Sequence, residues 1–142
     1  MVSKAKNSAE TVSRAPVSQG VGRRKSAVAR VWLRRGTGKM LVNGRDYAQY
    51  FDTEFVRSVA TETFRACAIA TSFDVAANVS GGGLHAQAGA IKLGMARALV
   101  KFDAELKPIL KPFGLLTVDS RIKERKKPGQ KAARRKFQFV KR

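Results

Sequence analysis

Phe73-Asp-Val-Ala-Ala-Asn-Val-Ser80, then Gly81-Gly-Gly83, then Leu84-His-Ala-Gln-Ala-Gly-Ala-Ile-Lys-Leu-Gly-Met-Ala-Arg-Ala-Leu-Val-Lys-Phe102 decide the fold. In the first eight residues Phe73, Val75, Ala77 and Val79 alternate with Asp74, Ala76, Asn78 and Ser80. Period two predicts a strand with one face on a core. After the glycines the period changes. Leu84, Ala88, Ile91, Met95, Ala98 and Phe102 recur every three or four residues, which predicts a long helix with one apolar stripe. Ala86, Gly89, Ala90, Gly94 and Ala96 keep that helix slim, so a sheet or a nucleic-acid backbone could come close to it.

Upstream, Ser26–Arg35 alternates as well. Ala27, Ala29, Val31 and Leu33 point one way; Ser26, Val28, Arg30, Trp32 and Arg34 point the other. This predicts another strand, entered from Gly20-Val-Gly-Arg-Arg-Lys25. On its second face Trp32 lies between two arginines, a strip suited to stacking on bases or to covering a sheet edge. Arg35-Gly-Thr-Gly-Lys39 reads as a hairpin turn and Lys39–Asn43 as its return strand. Asp46 with Gln49 three residues on marks a helix start. A second helical stretch covers about 54–70. Past Phe102, a helix over about 103–110 ends near Pro112-Phe-Gly114, and Leu115–Val118 reads as a short last strand.

Charge divides the 142 residues into three parts. Residues 1–45 carry +10, residues 46–120 carry −1, and residues 121–142 carry +10, for a total of +19. The last 22 residues hold 11 Lys or Arg against one acid, Glu124, with no periodic apolar face. Such a segment cannot fold on a core of its own. A nearly neutral body between two cationic ends is the layout of a small fold that grips nucleic acid, because phosphate contacts by Lys and Arg release condensed counterions. Extended, residues 128–142 would reach about 50 Å at ~3.3 Å per residue, with Phe137 and Phe139 on one side. Aromatic residues amid cations suit stacking on bases.

Other chemistries find little support. A single cysteine, Cys67, excludes an internal disulfide, and one Cys with one His builds no metal site. The carboxylates are scattered and offer no nuclease site. Gly81-x-Gly83-x-x-Ala86 follows a strand and opens a helix, as in a dinucleotide fingerprint. No alternating βαβ pattern follows, and Asp103 falls at a helix end, so no cofactor is expected. The glycines and the helix N-terminus would suit a phosphate, or simply make a tight turn. No membrane span and no secretory signal are visible, which points to the cytoplasm. Residues 1–19 read as a disordered leader, 20–120 as a compact body and 121–142 as an extended tail.

The motifs together resemble small-subunit ribosomal protein nine in its bacterial form, over about residues 20–142. They are Gly22–Ser26, Gly36–Lys39, Val42-Asn43, Tyr50-Phe51, Gly81–Gly83, Gln87–Ile91, Arg97–Leu99, Glu124–Lys127, Lys131–Arg135, Gln138-Phe139 and Lys141-Arg142. Ala86, Phe137 and Val140 depart from the pattern, where Gly, Pro and Ser are usual. The resemblance implies an α+β fold of two layers: a four-stranded sheet with helices on one face, a left-handed βαβ crossover and a long extended basic C-terminal tail. It implies a non-enzymatic component of the small-subunit head, bound to the 3′ major domain of small-subunit rRNA and beside neighbouring head proteins. Expected at rRNA are Arg23, Arg24, Lys25, Arg30, Arg34, Arg35, Lys39, Gly81, Gly82, Gly83, His85 and Gln87 in the body. Arg121, Arg125, Lys126, Lys127, Lys131, Arg134, Arg135 and Lys136 join them from the tail. Lys141 and Arg142 are expected at the anticodon stem-loop of peptidyl-site tRNA.

Overall fold

The structure, a computed structural model, describes residues 15–67 and 72–141. Strand β1 (Ser18–Arg24) pairs antiparallel with β2 (Ala27–Arg35) across the Lys25-Ser26 turn. Then come β3 (Met40–Val42), β4 (Arg45–Asp46), α1 (Tyr47–Tyr50) and α2 (Glu54–Cys67). Strand β5 (Phe73–Ser80) leads to α3 (Leu84–Phe102), a 3-10 turn (Ala104–Leu106) and α4 (Lys107–Leu110). The sheet order is β1-β2-β5-β3-β4. This is a mixed α+β architecture whose helices cover one side of the sheet. The fifth strand, β4, is only two residues long.

The alternation in β2 and β5 is realised residue by residue. Ala27, Ala29, Val31 and Leu33, with Phe73, Val75, Ala77 and Val79, are buried under the helices. They share one core with Ile91, Met95 and Leu99 of α3 and with fully buried Phe51, Leu110 and Leu115. Helix α3 is buried well beyond one stripe: Ala86, Ala90, Leu93 and Ala96 are covered too, while the stripe's ends, Leu84 and Phe102, stay exposed.

Strand β1 explains the small residues of α3. Its inward positions are Ser18, Gly20 and Gly22, and their backbone lies directly on the helix backbone. A methyl group added at Gly20 would run into the carbonyl of Gly94, and one at Gly22 into that of Ala90. From the helix side, a methyl at Gly94 would lie 3.2 Å from the Gly22 nitrogen and 2.7 Å from Val31 Cγ2. The slim face predicted from sequence therefore meets a strand. Two side chains stitch the contact: Ser18 Oγ donates to the Ala98 carbonyl at 2.7 Å, and Arg97 Nη1 donates to the Val21 carbonyl at 2.8 Å.

Four expectations need correction. Lys39–Asn43 does not return along β2; β5 lies between them, and β3 pairs parallel with β5. The loop is instead captured by Asp74, as described below. The sheet begins at Ser18, inside the span read as leader, because Ser18 is anchored to α3; residues 1–14 lie outside the described residues. Gly20–Lys25, read as a lead-in, is mostly strand; glycine-rich and with few apolar residues, it carries no alternation to betray it. Leu115–Val118 forms no strand, although Leu115 is buried. The helical stretch over 54–70 is observed to Cys67, and 68–71 lie outside the described residues. Half-buried Cys67 has its thiol pKa raised by burial.

Replacing Gly22 with Ala is expected to cost about 3 kcal/mol or more, because backbone rather than a flexible side chain must move. Gly44, at φ +79° with open space around it, is the control. Its Ala variant should lose only about 1 kcal/mol, from backbone strain alone. Urea denaturation of the two variants separates these outcomes.

Candidate nucleic-acid interface

Two of the glycine-bearing motifs, Gly22–Ser26 and Gly81–Gly83, are far apart in sequence and adjacent in space. Gly81 and Gly82 take φ +74° and +64°, a left-handed conformation that side chains disfavour. A methyl at Gly81 would lie 2.5 Å from the Ser26 carbonyl, so this turn packs against the β1–β2 turn. Gly83 has open space around it and precedes α3 without any side-chain cap. Its carbonyl accepts the first helical bonds, from the amides of Ala86 and Gln87. Ala86 is buried, so its methyl faces inward.

A chain of amides fixes the Gly81 turn. Asn43, at φ +50°, leaves β3 but continues the ladder with its side chain. Its Oδ1 accepts from the Val79 amide at 2.8 Å and its Nδ2 donates to the Val79 carbonyl at 3.0 Å. Tyr50 Oη donates to Gln87 Oε1 at 2.8 Å, and Gln87 Nε2 donates to the Gly81 carbonyl at 3.1 Å. Gln87, expected at rRNA, thus has both amide atoms engaged within the protein. Asn43 and Tyr50, which the sequence offered as motif residues but not as site residues, build the turn with it. His85 is exposed, its ring 5.9 Å from that of exposed Phe55.

The expected cationic residues fall into three groups. Lys25, exposed at φ +53° in the β1–β2 turn, stands beside the Gly81 turn. Arg24 is half-buried and lies across Gly89 of α3, with Nη1 3.5 Å from the His85 carbonyl. Its other nitrogen pairs with Asp119 at 3.4 Å, and Asp119 also takes two bonds at 2.9 Å from the Arg121 guanidinium. The root of the tail is therefore tied to the turn end of the body. A cleft of about 330 Å³ opens there between Arg23, Arg24, Lys92 and Arg121.

The second group is on the open face of the sheet: Arg23, Arg30 and half-buried Arg34, with Arg35 and Lys39 exposed at the far end of β2. Eight residue steps along β2 separate the two ends, about 26 Å at ~3.3 Å each. The structure thus does not bring Lys39 to the glycine turn. Asp74 organises that far end. Its Oδ1 accepts from the amides of Thr37, Gly38 and Lys39 at 2.8, 3.0 and 2.9 Å. Gly36 allows the carboxylate to sit against the backbone. Nothing in the sequence spacing singles out Asp74, because its partners are backbone groups.

The third group is the tail. Arg125, Lys126, Lys127, Lys131, Arg134, Arg135, Lys136 and Lys141 are all exposed, and no helix or strand forms beyond Leu110 among the described residues. The tail is not straight: Gly129 turns at φ +69°, and the Lys131 amide donates to the Arg135 carbonyl at 2.8 Å. Glu124 pairs with Arg134 at 2.8 Å and Lys127 at 3.0 Å. Phe137 and Phe139 are exposed, with Lys131 5.5 Å from the Phe137 ring centre. Arg142 lies outside the described residues.

The Arg121 side chain and backbone hydrogen bonds hold the Asp119 carboxyl well below the usual carboxylate range, with Arg24 adding to the effect. Hydrogen bonds from Arg134, then Lys127, also lower the pKa of Glu124. Both acids remain ionised at neutral pH. Their stabilisation is present above the ordinary carboxylate range and fades only as pH falls through the lowered values. Among the described residues, no three His, Cys, Asp or Glu side chains cluster to hold a metal, and no helix is long and apolar enough to cross a membrane.

Residues 22–142, containing every one of these groups, match the family model described as ribosomal protein S9/S16. The chain belongs to this family. It is similar to proteins named small ribosomal subunit protein uS9 from Azobacteroides pseudotrichonymphae and Bacteroides fragilis, with 45% and 47% identity over 126 residues. Each comparison covers 89% of this chain and 98% of the relative. As a family member it is a structural component of the small ribosomal subunit, located in the cytoplasmic ribosome, and not an enzyme. Its partners are accordingly rRNA and other ribosomal proteins.

Removing the Asp74 carboxylate orphans three amides at one loop. Asp74→Ala is expected to cost about 2 kcal/mol. It should speed hydrogen exchange at Thr37, Gly38 and Lys39 above all, whereas Asp74→Asn, which keeps an acceptor oxygen, should lose less on both measures.

Proposed function

We propose that this family member binds the 3′ major domain of small-subunit rRNA through its body and carries its tail toward the peptidyl site, where the tip contacts the anticodon stem-loop of tRNA. The observation that carries this reading is the division of charge. Residues 46–120 are near neutral and supply most of the apolar core, while residues 121–142 add +10, and their Lys and Arg side chains are exposed as far as the chain is described, to Lys141. The body's rRNA contacts are Arg23, Arg24, Lys25, Arg30, Arg34, Arg35 and Lys39, together with Gly81–Gly83, His85 and Gln87 at the glycine turn, which lies beside Lys25. Along the tail, Arg121, Arg125, Lys126, Lys127, Lys131, Arg134, Arg135 and Lys136 meet rRNA phosphates.

Lys141 and Arg142 are the tRNA contacts. They are phosphate contacts, which position the partner and read no sequence. The tie between Asp119, Arg121 and Arg24 supports a fixed departure point for the tail, and the exposure of Ile122, Phe137, Phe139 and Val140 beyond it supports a chain that takes its final path on RNA. Neighbouring head proteins would cover other parts of the body.

If about five cations of residues 128–142 meet phosphates, the plot of log K against log salt should lose a slope of about 3.5 when those residues are deleted. A loss below about 1 would remove the tail from rRNA binding. Arg142→Ala should weaken retention of tRNA in the peptidyl site while subunits still assemble. A failure to assemble would make the tip structural instead.

A further inference from the structure

The open face of the sheet carries a mainly apolar groove beside two of the body's cations, Arg34 and Lys39. Helices cover one side of the sheet; on the other, Trp32 of β2, Ala76 of β5 and Leu41 of β3 stand in one row across three strands. The small Ala76 makes a floor between two taller walls. The groove has a volume of about 350 Å³. Its lining is mainly apolar, but Arg34 and Lys39 line it as well, and so does Asn78, two residues on from Ala76 along β5. A flat slot with one indole wall, a rim of cations and one amide group matches the face, the phosphate and the edge of a nucleotide.

We infer that this groove takes one unstacked nucleobase of the bound rRNA, with the base against Trp32 and its flanking phosphates toward Arg34 and Lys39. The inference rests on the rRNA-binding reading and makes it more specific. Charge chooses the occupant. The exposed surroundings of the groove include Arg30 and Lys39, and the two acids at its borders are already engaged. Asp74 holds the loop amides, and Asp46 caps α1 by accepting from the Ala48 amide at 3.3 Å. A second copy of a chain with net charge +19 would be repelled from this face. Asn78 adds a donor and an acceptor for a base edge.

Trp32 is the only tryptophan in the chain, so intrinsic fluorescence reports on this groove alone. The full-length protein is titrated with a transcript of the 3′ major domain, and binding is followed in parallel by filter retention. Saturable quenching of Trp32 at the concentrations that give retention is expected. Trp32→Ala should weaken binding about tenfold, within the range for one lost stack, and Trp32→Phe should largely restore it. Ala76→Leu, which fills the floor without touching the core, should weaken binding similarly while the thermal midpoint stays unchanged. Retention with unchanged fluorescence and unchanged affinity of both Trp32→Ala and Ala76→Leu would overturn the groove assignment and leave rRNA binding standing. Quenching seen only in assembled subunits, and not with the transcript, would assign the groove to a protein neighbour and equally overturn it. No retention of the wild-type chain would overturn the rRNA reading itself, and the inference with it.

Discussion

Everything in this fold is arranged around the contact between the backbones of β1 and α3. At Gly20 and Gly22 on one side, and Ala90 and Gly94 on the other, no side chain separates strand from helix. An ordinary helix lies farther from its sheet because side chains fill the gap. Here the close approach lets α3 run beneath β1 and β2 and bury nearly its whole circumference. It also puts the start of α3 next to the β1–β2 turn. That proximity is what joins Gly81 to Ser26 and Arg24 to the His85 carbonyl.

With so much of the interior built from Ala, Gly and Val, the body is held in place by fixed acceptors as well as by packing. A chain with 29 basic and 10 acidic residues has few carboxylates to spend on this. The acids that matter each serve several donors. Asp74 takes three amides, Asp119 takes Arg24 and Arg121, and Glu124 takes Lys127 and Arg134. Sharing one acid among several donors shapes a basic surface while leaving its net charge strongly positive. The body can thus be ordered before its polyanionic partner arrives.

The fold was legible where one residue type has one period. In β2, β5 and α3 the apolar positions Ala27 to Leu33, Phe73 to Val79 and Ala88 to Ala98 face inward as their spacing requires. Pairing was less legible. Gly36 and Gly38 suggested a hairpin, yet the loop crosses β5 because Asp74, 35 to 37 residues away, binds its amides. A short strand such as β3 has no pattern that names its neighbour. Strand β1 was hidden for another reason: its inward side is Ser and Gly, so its burial is achieved without hydrophobicity. Of the candidate site, the clustered cations were visible from composition. The division of labour around the glycine turn was not. Gln87 is taken up by Tyr50 and Gly81, and Asn43 mimics a strand with its side chain, because both roles depend on long-range partners.

The tail differs from the body in the strength of what holds it. At its root, Asp119 joins two elements and is only partly exposed. Farther along, the Glu124 pairs with Lys127 and Arg134 involve side chains open to water, where such pairs contribute about 0–1 kcal/mol. A phosphate offers the same cations a comparable partner and releases counterions as well. The bend around Gly129 is therefore inexpensive to exchange for a path along RNA, whereas the tie at Arg24 must survive for the tail to leave the body in a defined direction. A firm root with a weakly held remainder is what a segment needs if its course is to be set by the nucleic acid it meets.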